Sequence, residues 1–260
     1  REKLISILTN AFVPCNGRFP FLITISSIFI GGIFTKANSS VVSTITVLLI
    51  VVLGILMTLL ISKVLSKTLL KGESTSFVLE LPPYRKPQIG QILVRSILDR
   101  TLFVLGRAIA IAAPAGLIIW LLANINIGDI SILNYIANFF DPFARLMGLD
   151  GYILTAFILG IPANEIVLPI ILMCYMGKGS LVNLENMYEI EHILLQNGWT
   201  ILTAINVMIF TLLHFPCTTT LLTIKKETGS IKWTIIAFLL PTICGVVLCM
   251  ATNLVWHLVI

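Results

Sequence analysis

The chain has 260 residues, of which 57% are hydrophobic and only 11% charged, with a mean hydropathy of +1.02 and a formal net charge of +5. Soluble domains carry about 25% charged residues, so this sequence cannot cover a water-facing surface. A soluble globule, a disordered chain, a coiled coil and a nucleic-acid-binding domain are excluded, and the bilayer is the expected solvent.

The opening Arg1-Glu2-Lys3 runs into an apolar stretch without the small-residue cleavage site of a signal peptide, and reads as the interior of a longer chain. Residues 4–34 are apolar but interrupted by Pro14-Cys15-Asn16-Gly17-Arg18-Phe19-Pro20. Residues 41–61 then supply the roughly 20 apolar positions that a crossing needs. The polar segment 63–100 holds Lys63, Lys67, Lys71, Arg85, Lys86, Arg95 and Arg100, which puts it in the cytoplasm. Its first three lysines recur every four residues and suit anionic headgroups. Leu81-Pro82-Pro83-Tyr84-Arg85-Lys86-Pro87 reads as a stiff connector, and 89–100 as an amphipathic interfacial helix. A second unbroken span covers 101–123, with Arg107 near its cytoplasmic end, placed to snorkel. Segments 124–151 and 177–198 carry only Arg145 and Lys178, so both are expected outside. Residues 152–176 lie between them and contain Pro162-Ala163-Asn164-Glu165 and Pro169; with both flanks external, a re-entrant hairpin folded at 162–165 is the simplest solution. Residues 199–224 are broken by His214-Phe215-Pro216-Cys217-Thr218-Thr219-Thr220. A basic loop at 225–232 and a final span at 233–257 complete an all-α, polytopic integral membrane protein.

Two of these broken stretches correspond. Each carries Pro-Cys at its break and is followed by a short connection and an unbroken span, the second copy being preceded by the hairpin. Interrupted helices at matching places in two halves are the best sequence pointer to a transporter site near the membrane midplane. A proline in a helix also releases the carbonyl four residues back. Pro14, Pro20, Pro162, Pro169 and Pro216 would release Asn10, Asn16, Ile158, Glu165 and Leu212, and Gly17 loosens the first break further.

Cys15 and Cys217 are the sharpest pair, because each directly follows a breaking proline, whereas Cys174, Cys244 and Cys249 read as inert packing residues. Thiolates with amide and carbonyl oxygens suit a borderline-soft transition metal rather than Mg²⁺ or Ca²⁺. Asn16, Asn164, Glu165, the Thr218 hydroxyl and the released carbonyls are the expected completing ligands. His214 either joins them or satisfies a neighbouring backbone group. Intramembrane charges default to function: Glu165 binds a cation, carries a proton or pairs with Arg18 or Arg107. No nucleotide-binding, zinc-protease or nucleophile-elbow motif occurs, so no enzyme activity is expected of this chain.

At these residues the sequence resembles the membrane domain of the ferrous iron transport protein B family. The resemblance rests on 1–20, on Leu81-Pro82-Pro83-Tyr84-Arg85-Lys86-Pro87, on Ile161-Pro162-Ala163-Asn164-Glu165-Ile166-Val167-Leu168-Pro169, and on 215–221 with Lys226-Glu227-Thr228-Gly229-Ser230. It implies Fe²⁺ as the transported substrate, a bacterial inner-membrane location, and Cys15 and Cys217 as metal-handling thiols. It further implies a cytoplasmic GTPase domain, with its GTP and Mg²⁺, in a longer parent, leaving this chain without a cofactor. On this view 1–61 is the end of a first gate repeat and 62–100 the cytoplasmic connector. Residues 101–150 are a scaffold span with an external segment, and 151–260 the second gate repeat. Membrane lipids, the ferrous ion, the GTPase domain and a second copy of the chain are the expected partners. The gate arrangement is also similar to concentrative nucleoside transporters, so a small-solute transporter is the alternative, and a non-transporting solute-binding receptor a third.

Overall fold

The computed structural model describes residues 2–33, 36–68, 70, 90, 94, 101–128, 130–181, 184 and 186–259, with the backbone alone at 33, 36–38, 103, 104 and 107. The expectations for Lys71, for 81–87 and for most of 89–100 therefore lie outside the described residues, as does the Arg107 side chain. The described chain is α-helical apart from one two-stranded β-hairpin, in which Asn126–Ile127 pairs with Ile130–Ser131 around Gly128 at φ 69°.

The first helix, α1 (Glu2–Thr9), runs through a 3-10 turn at Asn10–Phe12 and stops where Val13 turns extended. A residue before proline is driven out of the helical region, so Pro14 sets that stop. The chain resumes as α2 (Phe19–Ile25), which passes through a π-helical stretch at Ser26–Ile30. Pro20 sits in the first turn of α2, where a missing N–H costs nothing. It starts that helix and does not break one, which corrects the expectation for Pro20. The same correction applies to Pro169, in the first turn of a later helix. Next comes α3 (Lys36–Lys67), 32 residues and apolar on every face, with Leu48, Leu49, Leu56 and Leu59 all exposed. A helix with no polar face is one built for lipid.

Helix α4 (Phe103–Asn124) is 22 residues long, about 33 Å at 1.5 Å per residue. Helix α5 (Ile132–Leu146) is amphipathic and capped by Ser131, and a 110° bend separates it from α6 (Gly151–Leu159). Asp150 caps α6 by accepting from Ile153 N–H at 2.7 Å. After a turn and a short 3-10 segment at Asn164–Ile166, α7 (Val167–Met176) packs back against α6 and ends at Gly177, φ 60°. The arms are 9 and 10 residues, about 15 Å each, half of a hydrocarbon core of about 30 Å. Two such arms folded back on each other have the dimensions of the expected re-entrant hairpin. Both arms are largely buried in protein, from Ile153 to Phe157 and from Ile170 to Cys174, the setting in which irregular backbone is tolerated at membrane depth.

Helix α8 (Met187–Gln196) leads to α9 (Ile201–Leu213), which is buried along most of its length. A break at 214–217 precedes α10 (Thr218–Thr228), and the chain closes on α11 (Ile231–Val259), 29 residues and apolar. Among the described residues three stretches are long and apolar enough to cross a membrane: Ser39–Lys67, Ile201–Thr228 and Ile231–Val259.

Three contacts fix how the two broken helices lie. Lys3 pairs with Glu227 at 3.0 Å, Arg18 reaches the end of α9, and Phe29 stacks on Trp199 with ring centroids 5.6 Å apart. The order is 3, 18, 29 along one and 227, 212, 199 along the other. The helices are antiparallel with their breaks at the same level, which is the inverted-repeat geometry of many transporters. Gly54 of α3 sits against both breaks: a Cβ there would fall 2.6 Å from the Phe12 carbonyl oxygen and 3.1 Å from Leu212.

Candidate functional site

The site is made where the two breaks meet. Arg18, 3% exposed, opens α2 and sends its guanidinium across to the second break. Nη1 donates to the carbonyls of Ala11 (3.2 Å) and Leu212 (2.8 Å), and Nη2 to those of His214 (3.1 Å) and Phe215 (3.2 Å). The C-terminal end of a helix carries unsatisfied carbonyls and partial negative charge, and a planar five-donor cation is the side chain suited to fill it. The Leu212 carbonyl is the one Pro216 releases. It accepts from Arg18, and Leu212 is not among the residues that line the cavity between the breaks. Asn10 O accepts from Val13 N–H and Ile158 O from Ile161 N–H, each at 3.3 Å, so local turns also use these released groups.

Arg18 makes no ion pair among the described residues, where the ion pairs are Lys3–Glu227 and Arg145–Asp141. Of the alternatives for Glu165, pairing with Arg18 is not realised: Nη1 and Nη2 donate to backbone carbonyls, and Nε is buried without a partner among the described residues. Glu165 is exposed at the hairpin tip and lies against Gly17, where an added Cβ would come 2.9 Å from Glu165 Cγ. Pairing of Glu165 with Arg107 lies outside the described residues.

Cys15 and Cys217 line one cavity of about 180 Å³, with Pro14, Pro216, Arg18 and Asn164 among its walls. Both thiols are free; Cys15 is exposed and Cys217 half-buried. Cys217 Sγ lies 3.0 Å from Thr219 Oγ1 and 3.3 Å from Thr220 Oγ1, and Thr220 also lines the cavity. Asn16 is exposed and does not line it. Thr218 is turned to the hairpin instead: its N–H and hydroxyl both donate to Ile161 O, at 2.9 and 3.2 Å. Thr218 is not among the residues that line the cavity. Its contact docks the hairpin tip on the start of α10, and Pro162 lies in that same turn.

His214 is buried, with Nδ1 2.9 Å from Thr211 O and 3.0 Å from Phe210 O. Its other nitrogen, Nε2, lies 3.2 Å from Asn164 Oδ1, and Asn164 Nδ2 donates toward Cys15 Sγ at 3.7 Å. Histidine thus stands behind Asn164, away from the cavity lining, and not among the groups that face an ion. Among the described residues no three His, Cys, Asp or Glu side chains converge as a metal cluster. The cavity wall offers two sulfur atoms, those of Cys15 and Cys217, beside neutral oxygen groups. Thiolates bind metals and thiols do not, so an ion held here would displace two protons. Arg18 is then the fixed positive charge beside those two sulfurs.

Two features escape a reading of the sequence alone. The Arg18 bridge is signalled only by the carbonyl that Pro216 releases, with nothing to say which donor fills it. The Thr219 and Thr220 contacts to Cys217 follow from their positions in the first turn of α10, a spacing that is legible once the helix start is known.

Comparison with known proteins agrees with this architecture. A family model described as the ferrous iron transport protein B C terminus matches residues 47–99, and one for gate domains, described as nucleoside recognition, matches 105–231. A Staphylococcus aureus protein named Fe(2+) transporter FeoB is 34% identical over 267 residues, covering 99% of this chain and 37% of its own length. Proteins of the same name from Methanocaldococcus jannaschii and Leptospira interrogans are 24% and 25% identical, each across 99% of this chain and 38% and 39% of their own. The chain thus spans about two fifths of the length of these relatives. No solved structure matches it. With a multi-pass helical fold and a whole-chain match, this chain belongs to the ferrous iron transport protein B family.

Proposed function

We propose that this chain is the permease core through which ferrous iron crosses the bacterial inner membrane. The observation that carries the reading is that Cys15 and Cys217, one from each inverted half, line a single cavity at the joined helix breaks. The name of the relatives, Fe(2+) transporter, supports iron as the cargo. Thiol donors beside neutral oxygen suit Fe²⁺ and discriminate against Mg²⁺ and Ca²⁺. The ion arrives hydrated, exchanges water for the two thiolates, and leaves as the thiols are reprotonated. Few ligands and a fixed nearby cation keep the binding weak enough for release. Energy coupling belongs to a GTPase domain elsewhere in the full-length protein, where GTP and Mg²⁺ act. This chain supplies no catalytic group, and its lipid-facing spans leave room for assembly with further copies.

A second reading follows from the nucleoside-recognition match over 105–231. A nucleoside would meet a cavity of about 180 Å³, against about 300–1,000 Å³ for typical small-molecule sites, which favours the ion. The test is anaerobic uptake of radioactive ferrous iron by cells lacking their own ferrous systems and expressing the full-length protein, with labelled uridine as the competing substrate. Iron uptake that is lost in Cys15→Ser with Cys217→Ser, at unchanged protein level, is the expected result. Uridine uptake without iron uptake would overturn it.

A further inference from the structure

The pair formed by His214 and Asn164 has a consequence for which atom faces the ion. His214 Nδ1 points at two backbone carbonyls, those of Thr211 and Phe210, at 2.9 and 3.0 Å. Carbonyls only accept, so Nδ1 carries a hydrogen. The ring is 1% exposed and packed among Phe157, Phe210 and Phe215, with centroids 5.0, 5.9 and 5.1 Å away. Its own carbonyl accepts from the buried Arg18 guanidinium. A doubly protonated ring would bury a second cation beside that one with no carboxylate to balance it, at large cost. The ring is therefore neutral, and Nε2 is a bare acceptor.

As placed, Asn164 Oδ1 lies 3.2 Å from Nε2 and Asn164 Nδ2 is aimed at Cys15 Sγ at 3.7 Å, so two acceptors face each other, and two acceptors do not bind each other. The two ends of a carboxamide have nearly the same shape, so exchanging them changes no packing and replaces a repulsion by a hydrogen bond. The amide end that does not meet His214 is the one facing Cys15 Sγ at 3.7 Å, on the wall of the cavity. We infer that His214 is a positioning residue: its Nε2 accepts from the Asn164 N–H, and this holds the Asn164 oxygen toward Cys15 as an oxygen donor for the divalent cation. The inference rests on the thiol-lined ion site proposed above. It gives histidine a part in metal selection without making it a ligand, in the way that partners behind a ligand fix its orientation. Without His214 the amide is free to present its N–H₂ edge, which repels a cation.

The test is anaerobic titration of the purified full-length protein with Co²⁺, a stand-in for Fe²⁺, followed through the thiolate-to-metal charge-transfer absorption. His214→Leu is expected to keep that absorption and weaken Co²⁺ binding by about 10–100-fold, the usual effect of losing an orienting partner. Adding Asn164→Asp is expected to bring affinity to that of Asn164→Asp alone, because both ends of a carboxylate are oxygen and need no orienting partner; a His214→Leu defect that persists undiminished on the Asn164→Asp background marks a merely structural role. Unchanged affinity in His214→Leu, or an undiminished defect in the double variant against Asn164→Asp alone, overturns the inference while leaving the thiol site standing. No charge-transfer absorption in the wild type overturns the thiol site and this inference with it. Independently of any variant, ¹⁵N NMR of the histidine-labelled wild type is expected to show His214 protonated at Nδ1 and bare at Nε2. A protonated Nε2 contradicts the assignment.

Discussion

The two helix breaks look alike in sequence, each built on Pro-Cys, yet they take opposite parts in the structure. The first break is open: Cys15 and Asn16 are exposed, and Arg18 contributes a donor group. The second is closed: His214, Phe215 and the end of α9 are buried, and it contributes carbonyl acceptors. A repeat inverted in the membrane brings its halves together head to head, so the interface between them rewards complementary residues rather than equal ones. Arginine appears in one break only, and the other break is what it completes.

The strongest way to break this comparison is to remove the donor. Arg18→Leu leaves the carbonyls of Leu212, His214 and Phe215 without their partner in a buried setting, and a buried acceptor left unsatisfied costs about 1–3 kcal/mol. The expected outcome is loss of folded protein in detergent, read by thermal unfolding and size exclusion. Arg18→Lys, with three donors on a point charge, should recover only part of the stability.

The thiols should behave in the reverse way, with large effects on transport and small ones on stability. Cys15→Ser and Cys217→Ser are each expected to lower iron uptake sharply while leaving the melting temperature within a few degrees, since neither sulfur is fully buried. A difference between the two would sharpen the comparison. Cys217 is held by Thr219 and Thr220, so its serine variant has a hydroxyl partner ready, whereas Cys15 has the Asn164 amide alone.

A smaller structural effect is expected at Gly54→Ala. The new methyl would meet the Phe12 carbonyl at 2.6 Å, and forcing α3 away from the breaks should cost about 1–3 kcal/mol, typical of overpacking. The smallest effect is expected at the exposed pair Lys3–Glu227. Glu227→Gln should change stability by about 0.5 kcal/mol or less and less still at high salt, measured by the same unfolding assay.

Much of the architecture is legible in the sequence. Apolar runs mark α3 and α11 because lipid asks for nothing but length and hydropathy. The hairpin is legible from the prolines at 162 and 169 and the weakly basic flanks of 152–176, and the structure shows two short arms, Gly151–Leu159 and Val167–Met176, packed on each other. Proline positions are less legible. Pro14 and Pro216 end helices, while Pro20 and Pro169 sit in first turns and begin them; which one applies depends on where the helix starts. Side-chain assignments were the hardest, because released backbone groups and ligand groups have the same chemistry. Leu212 O and the Thr218 hydroxyl both have ligand chemistry, yet Leu212 O accepts from Arg18, Thr218 donates to Ile161 O, and neither residue lines the cavity. The two cysteines needed no such arbitration, since their place beside a breaking proline already puts them where helix ends meet.

The central claim is that a ferrous ion is held between Cys15 and Cys217. It is tested most directly by iron-edge X-ray absorption of the full-length protein loaded anaerobically with Fe²⁺. Two sulfur scatterers per iron, falling to one in either single serine variant and to none in the double, is the result this account predicts. An iron shell made only of oxygen and nitrogen in the wild type would contradict it.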